Sequence, residues 1–186
     1  MMPIPSKEET SGFTFQNYLE WEAGNETKHE YFAGQVFAMA GATENHDMVC
    51  INFLTSLHIH LKEKPCRVHT ADMKLKVEFK HAEASYYPDM MVVCDPDDSE
   101  PLFKTRPQAI VEVMSDFRRD NVEKFMVYQS IPSLEEYVVV DQDPDAARAW
   151  VYTRSSGWDV ELVGLDGNIE LPSLGFTIPL KDLYAS

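Results

Sequence analysis

The stretch Tyr86-Tyr87-Pro88-Asp89-Met90-Met91-Val92-Val93-Cys94-Asp95 decides the fold that the sequence predicts. It places one carboxylate, Asp89, at the head of an apolar, β-branched run of the kind found in strands that are buried on both faces. Pro88 cannot donate a hydrogen bond to a neighbouring strand, so it favours the start of a strand. We therefore expect Asp89 at the end of a sheet, where functional sites often form.

A second apolar run, residues 108–115, carries Glu112 in its middle, between Val111 and Val113. An ionised carboxylate in such surroundings costs free energy unless it is paired or bound to a metal. The alternatives are a buried salt bridge or an edge strand in which Glu112 faces water. Because glutamate is rarely buried alone, we favour a functional site.

A helix predicted over residues 118–130 carries Lys124. Asp120 and Tyr128 share its face, each four residues away. Apolar residues on the other side of this helix indicate that it is covered on both sides, which would turn Lys124 toward protein. An exposed pair between Asp120 and Lys124 explains the same spacing and would contribute only about 0.3–0.5 kcal/mol. Spacing alone favours that surface pair.

The remaining periodicity predicts an α/β fold. Helices are expected at 14–23 and 46–62, strands turning near Gly34, an alternating strand at 73–79 and a buried strand at 136–141. A strand, a helix and a strand between 108 and 141 predict a crossover unit within one sheet. From Asp143 onward the pattern is that of an antiparallel meander. We predict one domain with a mixed sheet, residues 13–186, after a flexible N-terminus, residues 1–12.

Charge and composition restrict the possible functions. The formal net charge of −15 is typical of an acidic, well-solvated surface and counts against binding nucleic acid through a broad basic face. No apolar run is long enough to span a membrane, and we see no signal peptide, so no membrane partner is expected. The three scattered cysteines lack CxxC spacing and are predicted to be reduced, buried thiols, which indicates a cytoplasmic location. No HxxxH or HExxH spacing indicates a zinc site.

Six short motifs occur in an order that resembles the Uma-two-type family of restriction endonucleases, within the PD-(D/E)xK nuclease superfamily. They are Glu30-Tyr31-Phe32-Ala33-Gly34-Gln35-Val36, Ala40-Gly41-Ala42-Thr43 with His46, Tyr87-Pro88-Asp89, Val111-Glu112-Val113-Met114-Ser115, Arg119-Asp120 with Lys124 and Tyr128, and 131–141. The resemblance covers roughly residues 14–184. It implies a restriction-endonuclease-like mixed central sheet flanked by helices, and a Mg²⁺-dependent phosphodiesterase site.

When the family's motif residues are matched to this sequence, Asp89 and Glu112 correspond to the two motif acids. The resemblance implies that both bind the metal. Glu30 matches an early acidic position that would complete the metal shell. The family pattern usually places lysine two residues after the glutamate, and here Met114 stands at that position. Lys124 matches a lysine that has moved to the following helix.

Further expectations come with the same resemblance. His46 matches a recurrent position of the family, and Asp120 and Tyr128 are additional candidates on the Lys124 helix. The implied cofactor is Mg²⁺, with Mn²⁺ as a substitute. DNA is the implied substrate, and duplex cleavage favours a homodimer.

Three functions are compared. The first is a metal-dependent DNA endonuclease that uses Asp89, Glu112 and Lys124. The second is a catalytically inactive interaction or regulatory protein on a nuclease fold, which the net charge of −15 favours. The third, glycoside hydrolysis by paired carboxylates, leaves Lys124 without a role and ranks well below the others.

Overall fold

The computed structural model of the chain describes residues 13–114 and 119–185, with side chains from 123 onward in the second range. The predicted flexible N-terminus, residues 1–12, lies outside the described residues. So do Ser115, at the end of the second predicted strand, and Arg118, at the predicted start of the helix. Within the two described ranges, no helix is long and apolar enough to cross a membrane.

The described residues form three α-helices separated by runs of strands. The helices are α1 (Phe15–Glu22), α2 (Glu44–Leu61) and α3 (Arg119–Tyr128). The strands are β1 (His29–Phe32), β2 (Gln35–Ala38), β3 (Arg67–Thr70), β4 (Lys74–Phe79), β5 (Ala82–Tyr86), β6 (Met90–Val93), β7 (Phe103–Lys104), β8 (Pro107–Met114), β9 (Glu136–Asp141), β10 (Arg148–Thr153), β11 (Val160–Gly164), β12 (Asn168–Leu171) and β13 (Phe176–Pro179). Short 3₁₀ turns lie at Pro144–Ala146, Arg154–Ser156, Pro172–Leu174 and Leu180–Tyr184.

A six-stranded mixed sheet forms the centre, in the order β11-β10-β9-β8-β6-β3. Strands β8 and β9 are parallel, and α3 lies between them in sequence. Neighbours elsewhere in this sheet are antiparallel. All six residues of β9 are buried, as expected for a strand covered on both faces. The mixed sheet with its helices confirms the predicted fold class.

Side chains of the central strands alternate between two hydrophobic cores, one on each face of the sheet. Val111 belongs to the core that includes Phe53 of α2. Ile110 belongs to the core on the other face, which includes Tyr128 of α3. Because Glu112 follows Ile110 by two residues, the alternation places it on the face that α3 covers. Helix α2 itself begins after Thr43, whose side chain caps it.

A second sheet, in the order β2-β1-β5-β4-β7, was not predicted. The stretch Tyr86–Asp95 is divided between the two sheets. Tyr86 ends β5 in the second sheet, and Met90 begins β6 in the central sheet. Pro88 lies between them and has no N–H to donate to either ladder. Asp89 therefore lies where the chain enters the central sheet.

The C-terminal region differs from a single meander. Strand β10 pairs with both β9 and β11, so these two strands extend the central sheet. Strands β12 and β13 form a separate antiparallel hairpin. The ring of Phe176 in β13 lies 6.0 Å from that of Phe53 in α2, measured between centroids. The hairpin thus packs into the core on the α2 face of the sheet.

Cys66 and Cys94 are joined by a disulfide bond, so the prediction of three reduced thiols is wrong for this pair. Cys66 directly precedes β3 and Cys94 directly follows β6. These strands are antiparallel, and Arg67 lies opposite Val93. Cys66, just before Arg67, therefore lies opposite Cys94, just after Val93. Cys50, on α2, is the free cysteine.

Candidate active site

The antiparallel pairing of β6 with β8 brings Asp89 and Glu112 together. Met90 lies opposite Val111 in this ladder, so Asp89, just before β6, lies beside Glu112. The backbone N–H of Asp89 donates to Glu112 Oε2 at 3.3 Å. The backbone N–H of Val113 donates to Asp89 Oδ2 at 2.8 Å. The two acids predicted from the sequence therefore lie at one end of the central sheet.

Helix α3 covers this end of the sheet with Tyr128 and Lys124. The Tyr128 hydroxyl donates to Glu112 Oε1 at 3.0 Å, and both of these side chains are buried. Lys124 lies one helical turn earlier on the same face, and its Nζ atom contacts Glu30 Oε1 at 2.5 Å. The Lys124 side chain is only 21% exposed. Lys124 is therefore not part of an exposed surface pair, because its side chain is mostly buried and contacts Glu30. The side chain of Asp120 lies outside the described residues.

Glu30 reaches the site from the second sheet. It lies in β1 between two buried residues, His29 and Tyr31, so its own side chain points to the opposite side of the strand. Beside Glu30, the Lys124 Nζ atom also lies 5.4 Å from the centroid of the Tyr86 ring, a cation–π distance. The site is thus closed on one side by residues of β1 and β5.

His46 approaches Asp89 from the first turn of α2. The backbone N–H of His46 donates to the capping hydroxyl of Thr43 at 3.3 Å. Its Nε2 atom lies 3.2 Å from Asp89 Oδ2. On the other side of the ring, Nδ1 lies 3.7 Å from the Sγ atom of Cys50. The structure therefore places His46 with the predicted acids.

Cys50 is a member of this group that the sequence reasoning missed. A signal existed, because His46 and Cys50 are four residues apart and share a helix face. HxxxC places two ligands on one helix face just as HxxxH does. Cys50 is half-buried and packs against the core on this side of the sheet.

Burial and neighbouring charges shift the pKa values of this group. Burial raises the pKa of Glu112 to about 7, with Lys124 opposing the shift and Asp89 and Glu30 adding to it. Burial alone would lower the pKa of Lys124, but the attraction of Glu112 and Glu30 outweighs it and raises that pKa. The hydrogen bond to Asp89 raises the pKa of His46, against the effect of burial.

With all its carboxylates ionised, the cluster carries an excess of negative charge. Asp89, Glu112 and Glu30 then carry three negative charges, and Lys124 with a protonated His46 carries two positive charges, which leaves an excess of one negative charge. Carboxylate oxygens are also the ligands that hard divalent cations prefer. In both charge and donor type, these residues fit an ion such as Mg²⁺.

The described residues thus form an α/β protein with a mixed central sheet, helices on its faces and acids at one strand end. The chain belongs to the Uma2 family, described as "Putative restriction endonuclease", whose family model matches residues 15–181.

Two relatives and one solved structure are similar to this chain. The chain is 30% identical over 172 residues to the uncharacterized protein slr1290 of Synechocystis sp., covering 91% of this chain and 90% of that protein. It is 28% identical over 166 residues to the uncharacterized protein sll1609 of the same organism, covering 82% and 93%. The crystal structure described as a putative nuclease belonging to DUF820 from Anabaena variabilis superposes with a TM-score of 0.70. That likeness, at 18% identity, covers 86% of this chain and 91% of the other, and it shows a shared fold.

Proposed function

We propose that this protein is a metal-dependent DNA endonuclease that hydrolyses phosphodiester bonds at the cluster of Asp89, Glu112 and Lys124. The observation that carries the proposal is the convergence of side chains from the β6 end, β8 and α3 on one site. Met114 occupies the position where the family motif usually has lysine, and Lys124 offers an ammonium group from the helix instead. Membership of the Uma2 family supports the same class of reaction.

Asp89, Glu112 and Glu30 would hold Mg²⁺, or Mn²⁺ in its place, through carboxylate oxygens. The ion, when bound, supplies a water of lowered pKa and neutralises charge on the phosphate. The protein's own contribution is to hold these oxygens in place. Glu112 is oriented by the Tyr128 hydroxyl and the Asp89 N–H, and Asp89 by the Val113 N–H. Hydrogen bonds of this kind around metal ligands tune affinity and geometry.

Lys124 would stabilise the negative charge that develops on the phosphate oxygens. An ammonium group has three donors, and one of them is directed at Glu30 Oε1. The others can reach a substrate oxygen while the side chain stays anchored by that ion pair. A fixed positive charge in a partly water-excluded site stabilises a transition state more than a mobile, solvated charge does.

DNA is the proposed substrate despite the net charge of −15. Two lysines lie beside Tyr87, which precedes Asp89 by two residues in the sequence. The Nζ atoms of Lys28 and Lys74 are 5.7 and 5.2 Å from the centroid of the Tyr87 ring. Lys28 also pairs with Asp72 at 2.5 Å. Such local cations would contact phosphates next to the scissile bond and position the strand without reading its sequence.

We also propose that the protein acts as a homodimer. Cutting both strands of a duplex favours two copies related by a two-fold axis. Sedimentation of the free protein and of its DNA complex tests the assembly, and a monomer in both would contradict it.

A second candidate function is an interaction or regulatory protein that keeps the nuclease fold without the reaction. The observation that favours it is the acidic net charge, since nucleic-acid-binding proteins usually present a basic surface. The two candidates differ in one respect that can be measured directly, which is hydrolysis of DNA.

The test is cleavage of supercoiled plasmid and of single-stranded DNA with Mg²⁺, with Mn²⁺ and with EDTA, over a range of salt concentrations. The proposal predicts nicked and linear products with either ion and none with EDTA. Asp89→Asn should abolish cleavage, whereas the exposed loop variant Asp97→Asn should cleave as the natural protein does. Intact DNA under every condition would favour the regulatory candidate.

A further inference from the structure

His46, Cys50 and Asp89 form a second group of donor atoms beside the three carboxylates. One ligand atom from each of these half-buried residues lies within 4.8 Å of the other two. The imidazole lies between its neighbours, with Nε2 at 3.2 Å from Asp89 Oδ2 and Nδ1 at 3.7 Å from Cys50 Sγ. Asp89 is the member that this group shares with the proposed magnesium site.

The chemistry of these donors differs from that of the carboxylate cluster. A thiolate sulfur and an imidazole nitrogen suit zinc and related ions, whereas sites built from oxygen alone suit Mg²⁺. In a tetrahedral zinc site, bonds of about 2.0–2.3 Å place neighbouring donor atoms roughly 3.3–3.7 Å apart. The 3.2 and 3.7 Å separations involve opposite nitrogens of the His46 ring, and a single ion binds only one of these nitrogens. With one donor atom taken from each residue, the three donors lie within 4.8 Å of one another. A rotation of the His46 ring, with small movements of Asp89 and Cys50, would bring the three donors onto one ion, with water as a fourth ligand.

The backbone holds two of the three donors in a fixed relation. His46 and Cys50 are four residues apart on α2, so their side chains lie on one face of a regular helix. The Thr43 cap fixes the first turn, because its hydroxyl accepts from the His46 N–H. Asp89 is fixed separately by the Val113 N–H. Ligands carried on rigid elements are positioned more accurately than ligands on loops.

We propose that His46, Cys50 and Asp89 bind a zinc-type divalent ion, and that this ion inhibits the nuclease by withdrawing Asp89 from the magnesium site. The inhibition rests on the proposed function, whereas the zinc site does not. One carboxylate cannot serve both ions in their preferred geometries, so each ion must weaken the binding of the other. This reciprocity is required by thermodynamic linkage.

Cobalt is the probe for the site, because Co²⁺ commonly occupies zinc sites and its visible spectrum reports thiolate ligation. The full chain, freed of metal by chelator and kept without thiol reductant, is titrated with Co²⁺ and then with Zn²⁺. We expect a thiolate-to-cobalt charge-transfer band that saturates at one ion per chain and is displaced by Zn²⁺. With Cys66 and Cys94 joined, Cys50 is the thiol that can give this band.

Two variants remove ligands independently. Cys50→Ser should abolish the band, and His46→Gln should weaken Co²⁺ binding by about 100-fold, since even the loss of a supporting residue weakens metal sites about 10–100-fold. His58→Gln is the matched control, because His58 is an exposed histidine of the same helix. Circular dichroism of each variant shows that the fold is retained. A band that survives in Cys50→Ser, or that is lost only in His58→Gln, overturns the proposed site.

Inhibition is measured as the ratio of DNA cleavage with and without Zn²⁺, at constant Mg²⁺. The natural protein should be inhibited, with relief at high Mg²⁺, and Cys50→Ser should lose this sensitivity. Cobalt binding without inhibition would overturn the regulatory part of the inference. If no DNA is cleaved but the band is present and depends on Cys50, the proposed function fails and the zinc site stands. If DNA is cleaved but no band forms, the inference fails and the function stands.

Discussion

Lys124 and Glu30 are separated by 94 residues in the sequence, yet the Lys124 ammonium contacts the Glu30 carboxylate at 2.5 Å. Lys124 lies on α3, over the central sheet, and Glu30 lies on β1 in the second sheet. Their ion pair places a cation beside the two acids at the end of β6 and in β8. Strand β8 has Met114 where the family motif usually has lysine, and Lys124 on α3 supplies a positive charge instead.

Loss of the Tyr128 hydroxyl should weaken both the fold and the metal site. In Tyr128→Phe, the buried Glu112 Oε1 atom loses its donor, so the free energy of unfolding should fall by about 1–3 kcal/mol. Mn²⁺ affinity, measured by calorimetry, should fall by about tenfold, as for other residues that orient metal ligands. Tyr184→Phe is the control, because that hydroxyl donates to the Asp141 carbonyl. Equal losses of Mn²⁺ affinity in the two variants would contradict the assigned role of Tyr128.

Reduction of the Cys66–Cys94 bond should destabilise the folded chain. The bond closes a loop of sequence separation 28, and the chain-entropy relation gives about 3–4 kcal/mol for such a loop. Urea unfolding with and without a phosphine reductant measures this difference. Cys50→Ser keeps the bond and should respond to the reductant as the natural protein does, whereas the double variant Cys66→Ser/Cys94→Ser should be insensitive to it. An unchanged unfolding midpoint on reduction would show that the bond is not formed in solution.

His69 should make the protein less stable as the pH falls. Burial, and then the nearby charge of Lys104, lowers the pKa of this imidazole in the folded state. The unfolded chain therefore binds a proton more readily, so the stability is present above the unfolded pKa of about 6.5 and is lost as the pH falls below it. His69→Gln should flatten the decline in unfolding free energy between about pH 7 and pH 5. The exposed His58→Gln variant should keep the natural slope, and an equally steep slope in His69→Gln would refute this prediction.

Much of the fold could be predicted because the patterns involved are local. Strict alternation marks β4, the cap at Thr43 marks the start of α2, and a run of β-branched residues marks β9. The second sheet could not be found in this way. Pro88 indicates that a strand starts near Asp89, but only the tertiary structure shows that the strands before and after Pro88 belong to different sheets.

The acids of the site could be predicted from the sequence, but their spatial arrangement with the other site residues could not. Glu112 stands out as a charge within a buried strand, and Asp89 as the residue after Pro88. Spacing along α3 predicts only a pair between Lys124 and Asp120. The observed partner of Lys124, Glu30, comes from a strand that is distant in the sequence. The Cys66–Cys94 bond likewise depends on the pairing of β3 with β6, which the sequence does not display.

Cleavage by Lys124→Met, with metal binding measured on the same samples, tests the central claim most directly. The account predicts a loss of about 100–1,000-fold in the cleavage rate, as for the removal of one group that stabilises the transition state. Mn²⁺ should still bind, because the carboxylates remain and a competing cation has gone. Lys181→Met, at an exposed position, should cleave normally. Adding Met114→Lys to Lys124→Met should restore part of the activity, since Met114 and Glu112 share a strand face. Cleavage by Lys124→Met at the natural rate would contradict the account.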